Sequence, residues 1–400
     1  MSKENEAVIL SAARTPIGKF QGSLSSFPAT RLGAFAVEAA IKRARIDPGD
    51  IEEVILGNVV QAGVGQAPAR QAGVWAGIPT TVGATTINKV CGSGLKAVML
   101  AAQAIRAGDA DLFVAGGFES MSRAPYLVSG RLGELKYGDK QLTDSLLHDG
   151  LWDPFENWDM GSAAEFIGEE YEVTREAMDR FALESHQKAV AAQAAGKFNA
   201  EMVPVEVPGH KGDLNIVDTD EGPRKDASLA TLAKLKPSFK TNGKVTAGNS
   251  SSMNDGASAT VISSLSYAEK QKLKPLAKII GYTQVAVEPK YLFAAPARAI
   301  PKLMKKIDWK LSSVDLIELN EAFAAQVLAN GHALTDQGWD WNKVNVHGGA
   351  IALGHPLGAS GARLLTTLIY ALKDRGLKRG LASLCLGGGE AVAMAIELEN

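Results

Sequence analysis

With 400 residues, 46% of them hydrophobic and 22% charged, the chain has a globular composition and can bury a substantial core without disulfides or metal. Lys and Arg number 42 against 44 Asp and Glu, so no excess of positive charge is present to hold a polyanion, and nucleic acid is excluded as a partner. The opening MSKENEAVILSAARTP has too short an apolar stretch for a signal peptide and no apolar run reaches bilayer length, which predicts a cytoplasmic protein with no membrane partner.

In chain order, strands are predicted at EAVILSAA, EEVILGNVV, DLFVAGG, VDLIELNE and LASLCLGGG, and helices at LGAFAVEAAIKRA and LKAVMLAAQAIRA, whose apolar residues recur at helical spacing. The 41 glycines gather at the ends of the apolar runs, as tight strand-to-helix turns require. Alternating strand and helix imply an α/β fold with a mostly parallel sheet covered on both faces. A faint repeat sets the stretch from Cys91 to Gly117 over that from Gly358 to Gly388, and Asp50 to Asn58 over Ser312 to Asn320. The expected organisation is an N-terminal half at 1–120 completed by about 245–270, an inserted loop domain at 121–244, and a C-terminal half at 271–400. So long an insert, rich in charge, Pro and Trp, is expected to carry substrate-binding function.

Four glycine-flanked stretches near strand ends are candidates for chemistry. VCGSGLKA places Cys91 at a predicted helix N-terminus, where free N–H groups would stabilise a thiolate, although a buried structural cysteine fits the same stretch. HGGAIALGHPLGASGAR holds His355 on a turn between glycine and proline, where an imidazole can take a cysteine proton. In CLGGGEAVAMAI the glycines after Cys385 let backbone N–H groups approach a substrate oxygen. LNEAF contains Asn320 and Glu321, a polar pair that is either a helix cap or part of a site. Both cysteines fall in glycine-rich turns read as equivalent ends of the two repeats. Neither Cys91 nor Cys385, the two cysteines present, lies in a CxxC or His-rich setting, so both are read as free thiols with no metal.

These stretches, with AVILSAARTPIGKF near the N-terminus, resemble the signature segments of the thiolases in order along nearly the whole chain. The resemblance implies duplicated α/β halves in a layered αβαβα core and a reversible Claisen condensation of two acetyl-CoA to acetoacetyl-CoA plus CoA. It casts Cys91 as the acylated nucleophile, His355 as its activator, Cys385 as the acid/base, Asn320 with His355 as holders of the enolate oxygen through an ordered water, and the N–H groups of Cys91 and Gly387 as donors to the acyl oxygen. Two thiols suit this chemistry, since the electrophile is held covalently while a second group moves the α-proton. Acyl-CoA thioesters are the implied substrate partners, with no separate cofactor.

For coenzyme A, PRKDASLATLAKLKPSFK offers five cations against Asp226, and the resemblance places Arg224 near the adenine nucleotide and Ala247 and Ser251 at the pantetheine arm. Met160 and Phe323 are further binding candidates. Asp159-Met160-Gly161 stands where biosynthetic thiolases tend to carry His-Met-Gly, which leaves a degradative 3-ketoacyl-CoA thiolase of longer chain preference as the alternative. A non-catalytic scaffold would not need these four motifs, and a ketoacyl synthase would use one cysteine with two histidines. The family implies a homo-oligomer, dimer or tetramer, with Gln61–Pro79 as an apolar surface and Ser129–Asp144 as a tetramer contact.

Overall fold

The computed structural model describes residues 5–131, 133, 135–209 and 213–399. Nine strands carry the main sheet: β1 Ala7–Arg14, β2 Glu53–Gly57, β3 Gly83–Ile87, β4 Leu112–Ser120, β5 Asn254–Ser264, β6 Ala277–Ala286, β7 Leu316–Leu319, β8 Arg379–Leu386 and β9 Glu390–Leu398, in spatial order β7-β8-β9-β6-β1-β5-β4-β2-β3. The short strand Gly18–Lys19 pairs at the end of β5. The main helices are α1 Ala29–Ala44, α2 Pro68–Trp75, α3 Ser93–Ala107, α4 Met160–Glu170, α5 Arg175–Ala194, α6 Pro296–Ile307, α7 Ala324–Ala333 and α8 Leu357–Arg375.

The duplication is visible in the topology: β1-β5-β4-β2 in the first half repeats as β6-β9-β8-β7 in the second, with matching strand directions. The halves meet where β1 pairs β6 through only Val8 with Lys278 and Ile9 with Ala277. Strand residues alternate between two buried faces. Ile9, Phe113, Ile262, Leu384 and Met394 face a central layer made of α3 and α8, while Val8, Leu10 and Val114 face α1 and α2. Ile317, Leu381 and Ala393 face α6 and α7. The result is the five-layer αβαβα stack.

A mostly parallel sheet is not what forms. Only β2–β3, β2–β4 and β7–β8 are parallel among the main-sheet pairings; the rest are antiparallel. The physical reason is that two strands return by connections other than a single crossover helix. In the second half β8 turns directly into β9 through Gly387–Gly389, with Gly388 and Gly389 at φ 82° and 87°, the left-handed region that a tight hairpin needs. In the first half β5 arrives only after the long excursion that carries α4 and α5, and slots between β1 and β4.

The central helices touch almost backbone to backbone at their N-termini. A Cβ on Gly94 would lie 2.8 Å from the Ala362 nitrogen, and one on Gly361 would lie 2.5 Å from the Leu95 nitrogen. Glycine at these positions is therefore a packing requirement, and it brings the turn before α3 against the turn before α8.

Candidate active site

Cys91 sits two residues before α3, in a turn that its neighbours hold rigidly. Ser93 Oγ accepts the Lys89 N–H at 2.8 Å and donates to the Val90 carbonyl at 2.7 Å, and Asn88 Oδ1 accepts the Val90 N–H at 2.9 Å. Val90 is thereby fixed at φ 45°, a conformation that a β-branched residue adopts only under constraint. Lys89 Nζ pairs with Glu390 Oε2 at 2.5 Å and clamps this turn to the Gly387–Gly389 hairpin. The backbone N–H groups of Gly387 and of Cys91 itself lie near enough to favour the Cys91 thiolate.

His355 is buried on the turn before α8, its backbone N–H donated to Asn254 Oδ1 at 2.9 Å. Its Nδ1 lies 2.6 Å from Ser360 Oγ, whose own proton goes to the Pro356 carbonyl at 2.8 Å. Ser360 must therefore accept, so Nδ1 carries the imidazole proton and Nε2 presents a lone pair. Asn320 Nδ2 donates to that Nε2 at 3.4 Å, while Asn320 Oδ1 is buried without a partner among the described residues. Burial and the nearby Arg363 hold the imidazole down at about 3, so it is neutral. Burial likewise pushes the Cys91 thiol up to about 11, against the pull of the two N–H groups. The expected helix-stabilised thiolate is thus corrected for the resting site: desolvation outweighs the two backbone N–H groups, and the pair rests as thiol and neutral imidazole.

Cys385 is the penultimate residue of β8, is 2% exposed and packs among Phe293, Phe323 and Ile351. Burial raises its thiol well above the ordinary value. The reading that the two cysteines occupy equivalent ends of the repeats does not hold. The counterpart of the Cys91 turn is the turn before α8, which bears His355, whereas β8 corresponds to β4.

One cavity of about 560 Å³ gathers Cys91, His355, Cys385, Gly387, Met160, Phe323, Arg224, Ala247 and Ser251 on its wall. Of the sequence candidates Asn320 and Glu321 stand behind the wall, and Asn320 reaches the cavity through His355. Neither Asn320 nor Glu321 caps α7, whose N-cap is Phe323; Glu321 is turned away and ties together Ser185, Asn345 and the Ile351 N–H. The backbone of 249–251 zips onto the Ala322–Ala324 segment through Ser251 N–H to Ala322 O and Ala324 N–H to Asn249 O, which seats Ala247 and Ser251 at the rim. Arg224 is exposed at the mouth.

Sequence reasoning missed two wall residues, Phe239 and His186, and the buried Glu119 behind the Cys91 turn. Phe239 lies directly over Gly161, where a Cβ would come within 2.2 Å of the ring, and stands edge-on to Phe323, which in turn packs on Phe293 at 5.3 Å. His186 on α5 also lines the cavity. Glu119, buried at the end of β4, accepts the N–H groups of Val59, Val60 and Gly358 and the Asn58 amide. No glycine or motif flags these residues; only the long-range packing brings them here.

Residues 7–266 match the family described as "Thiolase, N-terminal domain", and residues 273–398 match "Thiolase, C-terminal domain". The chain belongs to the thiolase family. It is 52% identical over 392 residues to a protein of Cupriavidus necator named acetyl-CoA acetyltransferase, covering 98% of this chain and 99% of that one. It is also 52% identical over 396 residues to acetyl-CoA acetyltransferase 2 of Arabidopsis thaliana, covering 98% and 97%. Among solved structures, the acetyl-CoA acetyltransferase from Syntrophomonas wolfei superposes with a TM-score of 0.96 at 42% identity, covering 99% of this thiolase and all of that chain. Among the described residues no helix is long and apolar enough to cross a membrane, and no cluster of His, Cys, Asp or Glu could hold a metal ion.

Proposed function

We propose that the chain catalyses the reversible condensation of two acetyl-CoA to acetoacetyl-CoA and CoA through an acetyl group carried on Cys91. The observation that carries this reading is the gathering of Cys91, a neutral His355, the second thiol Cys385 and Gly387 on the wall of one cavity. In the first stage His355 Nε2 takes the Cys91 proton, the thiolate attacks the acetyl carbonyl, and the N–H groups of Cys91 and Gly387 receive the oxyanion. The C–S bond to coenzyme A then breaks, and Cys385 gives its proton to the departing thiolate, which leaves Cys385 as a thiolate and the former Cys91 proton on His355 Nε2. In the second stage the Cys385 thiolate removes the α-proton of a second acetyl-CoA. The enolate oxygen accepts from the His355 Nε2–H, with Asn320 beside it, the carbanion attacks the acetyl-Cys91 carbonyl, and the departing Cys91 thiolate takes back the Nε2 proton.

The unpartnered Asn320 Oδ1 supports an ordered water in this polar corner, since a buried amide oxygen without a donor costs free energy. Arg224 at the mouth, with Ala247 and Ser251 at the rim, would hold coenzyme A. The same reading includes a cytoplasmic location and a homo-oligomer. Exposed Tyr126, Val128, Leu135, Tyr137 and Leu142 support an assembly contact near 126–144, part of which lies outside the described residues at 132 and 134. Light scattering at micromolar concentration tests the assembly.

The test of the reaction is thiolysis of acetoacetyl-CoA against longer 3-ketoacyl-CoA substrates, with intact mass spectrometry after mixing with acetyl-CoA. One acetyl adduct on wild type and a preference for the four-carbon substrate are expected. An equal adduct on Cys91→Ala overturns the assignment.

A further inference from the structure

His186 lies on α5, 95 residues from Cys91 in the chain, 5% exposed, with its ring on the cavity wall beside Gly222 and Arg224. Its Nδ1 accepts the backbone N–H of Arg224 at 3.3 Å. An accepting Nδ1 carries no proton, so in the neutral ring the proton is on Nε2. Burial and the Arg224 charge keep the ring neutral, holding it at about 4. Nε2–H is then the polar group left to bond, and the hydrogen bonds of the described residues include no protein acceptor for it. The Nε2 atom is not among the buried polar atoms left without a partner, so it opens onto the cavity, and a ligand that displaces its water there has to supply an acceptor in its place.

The position narrows what that acceptor is. Arg224 marks the mouth and Cys91 the reacting end, and the segment of an acyl-CoA between nucleotide and thioester is the pantetheine arm, whose polar acceptors are two amide carbonyls and a hydroxyl. We infer that His186 is a substrate-binding residue that donates its Nε2–H to an amide carbonyl of the pantetheine arm while its Nδ1 fixes the Arg224 backbone at the mouth. This rests on the acyl-CoA reading above and adds to it a specific contact that neither the glycine-rich motifs nor the basic stretch signalled. The two ring nitrogens divide the work: one orders the protein, the other reads the ligand.

The experiment compares three acetoacetyl thioesters with wild type, His186→Phe, His186→Asn and His186→Gln. They are those of coenzyme A, of pantetheine, which keeps both amides but lacks the nucleotide, and of propanethiol, which has no amide. Loss of one hydrogen bond should raise KM for the first two about three- to tenfold in His186→Phe, with kcat within about twofold, and leave kcat/KM for the propyl thioester unchanged. Asparagine keeps an acceptor near the Nδ1 position but cannot reach as far as Nε2, so His186→Asn should show the same loss. Glutamine reaches further and should recover most of the wild-type KM. If His186→Phe does not fold, the Asn and Gln variants carry the test alone. An equal loss on the propyl thioester would make the residue structural. A loss on the coenzyme A thioester without one on the pantetheine thioester would confine its role to Arg224, and no loss on any of them would remove it from binding. Each of these three results overturns the inference. Failure of wild type to cleave acetoacetyl-CoA would instead overturn the proposed reaction.

Discussion

The turns before α3 and α8 occupy the same place in the two halves, one carrying Cys91 and the other His355, and their surroundings differ sharply. The Cys91 turn is half-buried, strained at Val90, and sets the residue on the cavity wall against the apolar Val59, Val60, Met121, Leu146 and Leu357. His355 is buried and bonded at its backbone nitrogen and at both ring nitrogens. A duplicated fold has thus put two helix starts face to face and then specialised them. One presents a group that must form and break a bond, and the other fixes a group that must keep a single tautomer.

The sharpest way to break this comparison is to remove each group in turn. Cys91→Ala should abolish both the acetyl adduct and turnover. Cys385→Ala should still acetylate but lose condensation and thiolysis by more than the roughly 10²–10⁴-fold typical of one acid/base group, because His355, the other catalytic base of the cavity, is committed to the enolate oxygen. His355→Ala should impair both stages. Adduct yield by mass spectrometry paired with thiolysis rates separates the three, and a Cys385→Ala variant that folds but fails to acylate contradicts the division.

A smaller effect tests the tautomer. Ser360→Ala removes the acceptor of the His355 Nδ1 proton, and kcat should fall on the order of tenfold, about the value of one hydrogen bond, with KM little changed. An unchanged kcat would show that Asn320 alone orients the ring. Comparable in size is the effect expected at the wall. Phe239→Ala opens space over Gly161 and should raise kcat/KM for a six-carbon 3-ketoacyl-CoA relative to acetoacetyl-CoA by about tenfold, as one or two methylenes in an apolar pocket allow.

The mildest prediction concerns acid. His186, His347 and His355 are all held below the ordinary imidazole value, at about 4, 4 and 3, with burial the leading cause. The unfolded chain binds these protons first, so the contribution of these rings is fully present above about pH 6.5 and is lost as pH drops from there toward 3–4, while the buried Glu119 and Glu318, raised to about 7 and 8, act in the opposite direction. The urea midpoint of wild type should therefore fall relative to that of His347→Gln, a change outside the catalytic cavity, over that window. A slope identical to wild type would remove His347 from the acid response.

The cavity shows how far sequence could reach. Cys91, His355 and Cys385 were legible because each lies among glycines that a helix start or a hairpin requires, and the layered α/β halves were legible from the alternation of apolar runs. The strand directions were not. Nothing local in the run at Asn254 says that it slots antiparallel between β1 and β4, since that placement follows from contacts more than a hundred residues away. His186 and Phe239 were hidden for the same reason: an ordinary helix and a basic stretch carry them, and only the tertiary fold turns their rings inward. The thiolate expectation failed for a different cause, because a sequence shows a helix start but not how dry its surroundings are.

The glycine contacts between α3 and α8 bear on how such a protein exchanges a long, flexible thioester. Where backbone meets backbone there are no side chains to change rotamer, so the seam offers no hinge on which one half could swing from the other. The reacting end therefore keeps one shape through the cycle, and passage of coenzyme A falls to the segments at the mouth that bear Arg224, Phe239 and Met253. The fold separates a fixed floor, where angles matter, from an adaptable rim, where traffic does.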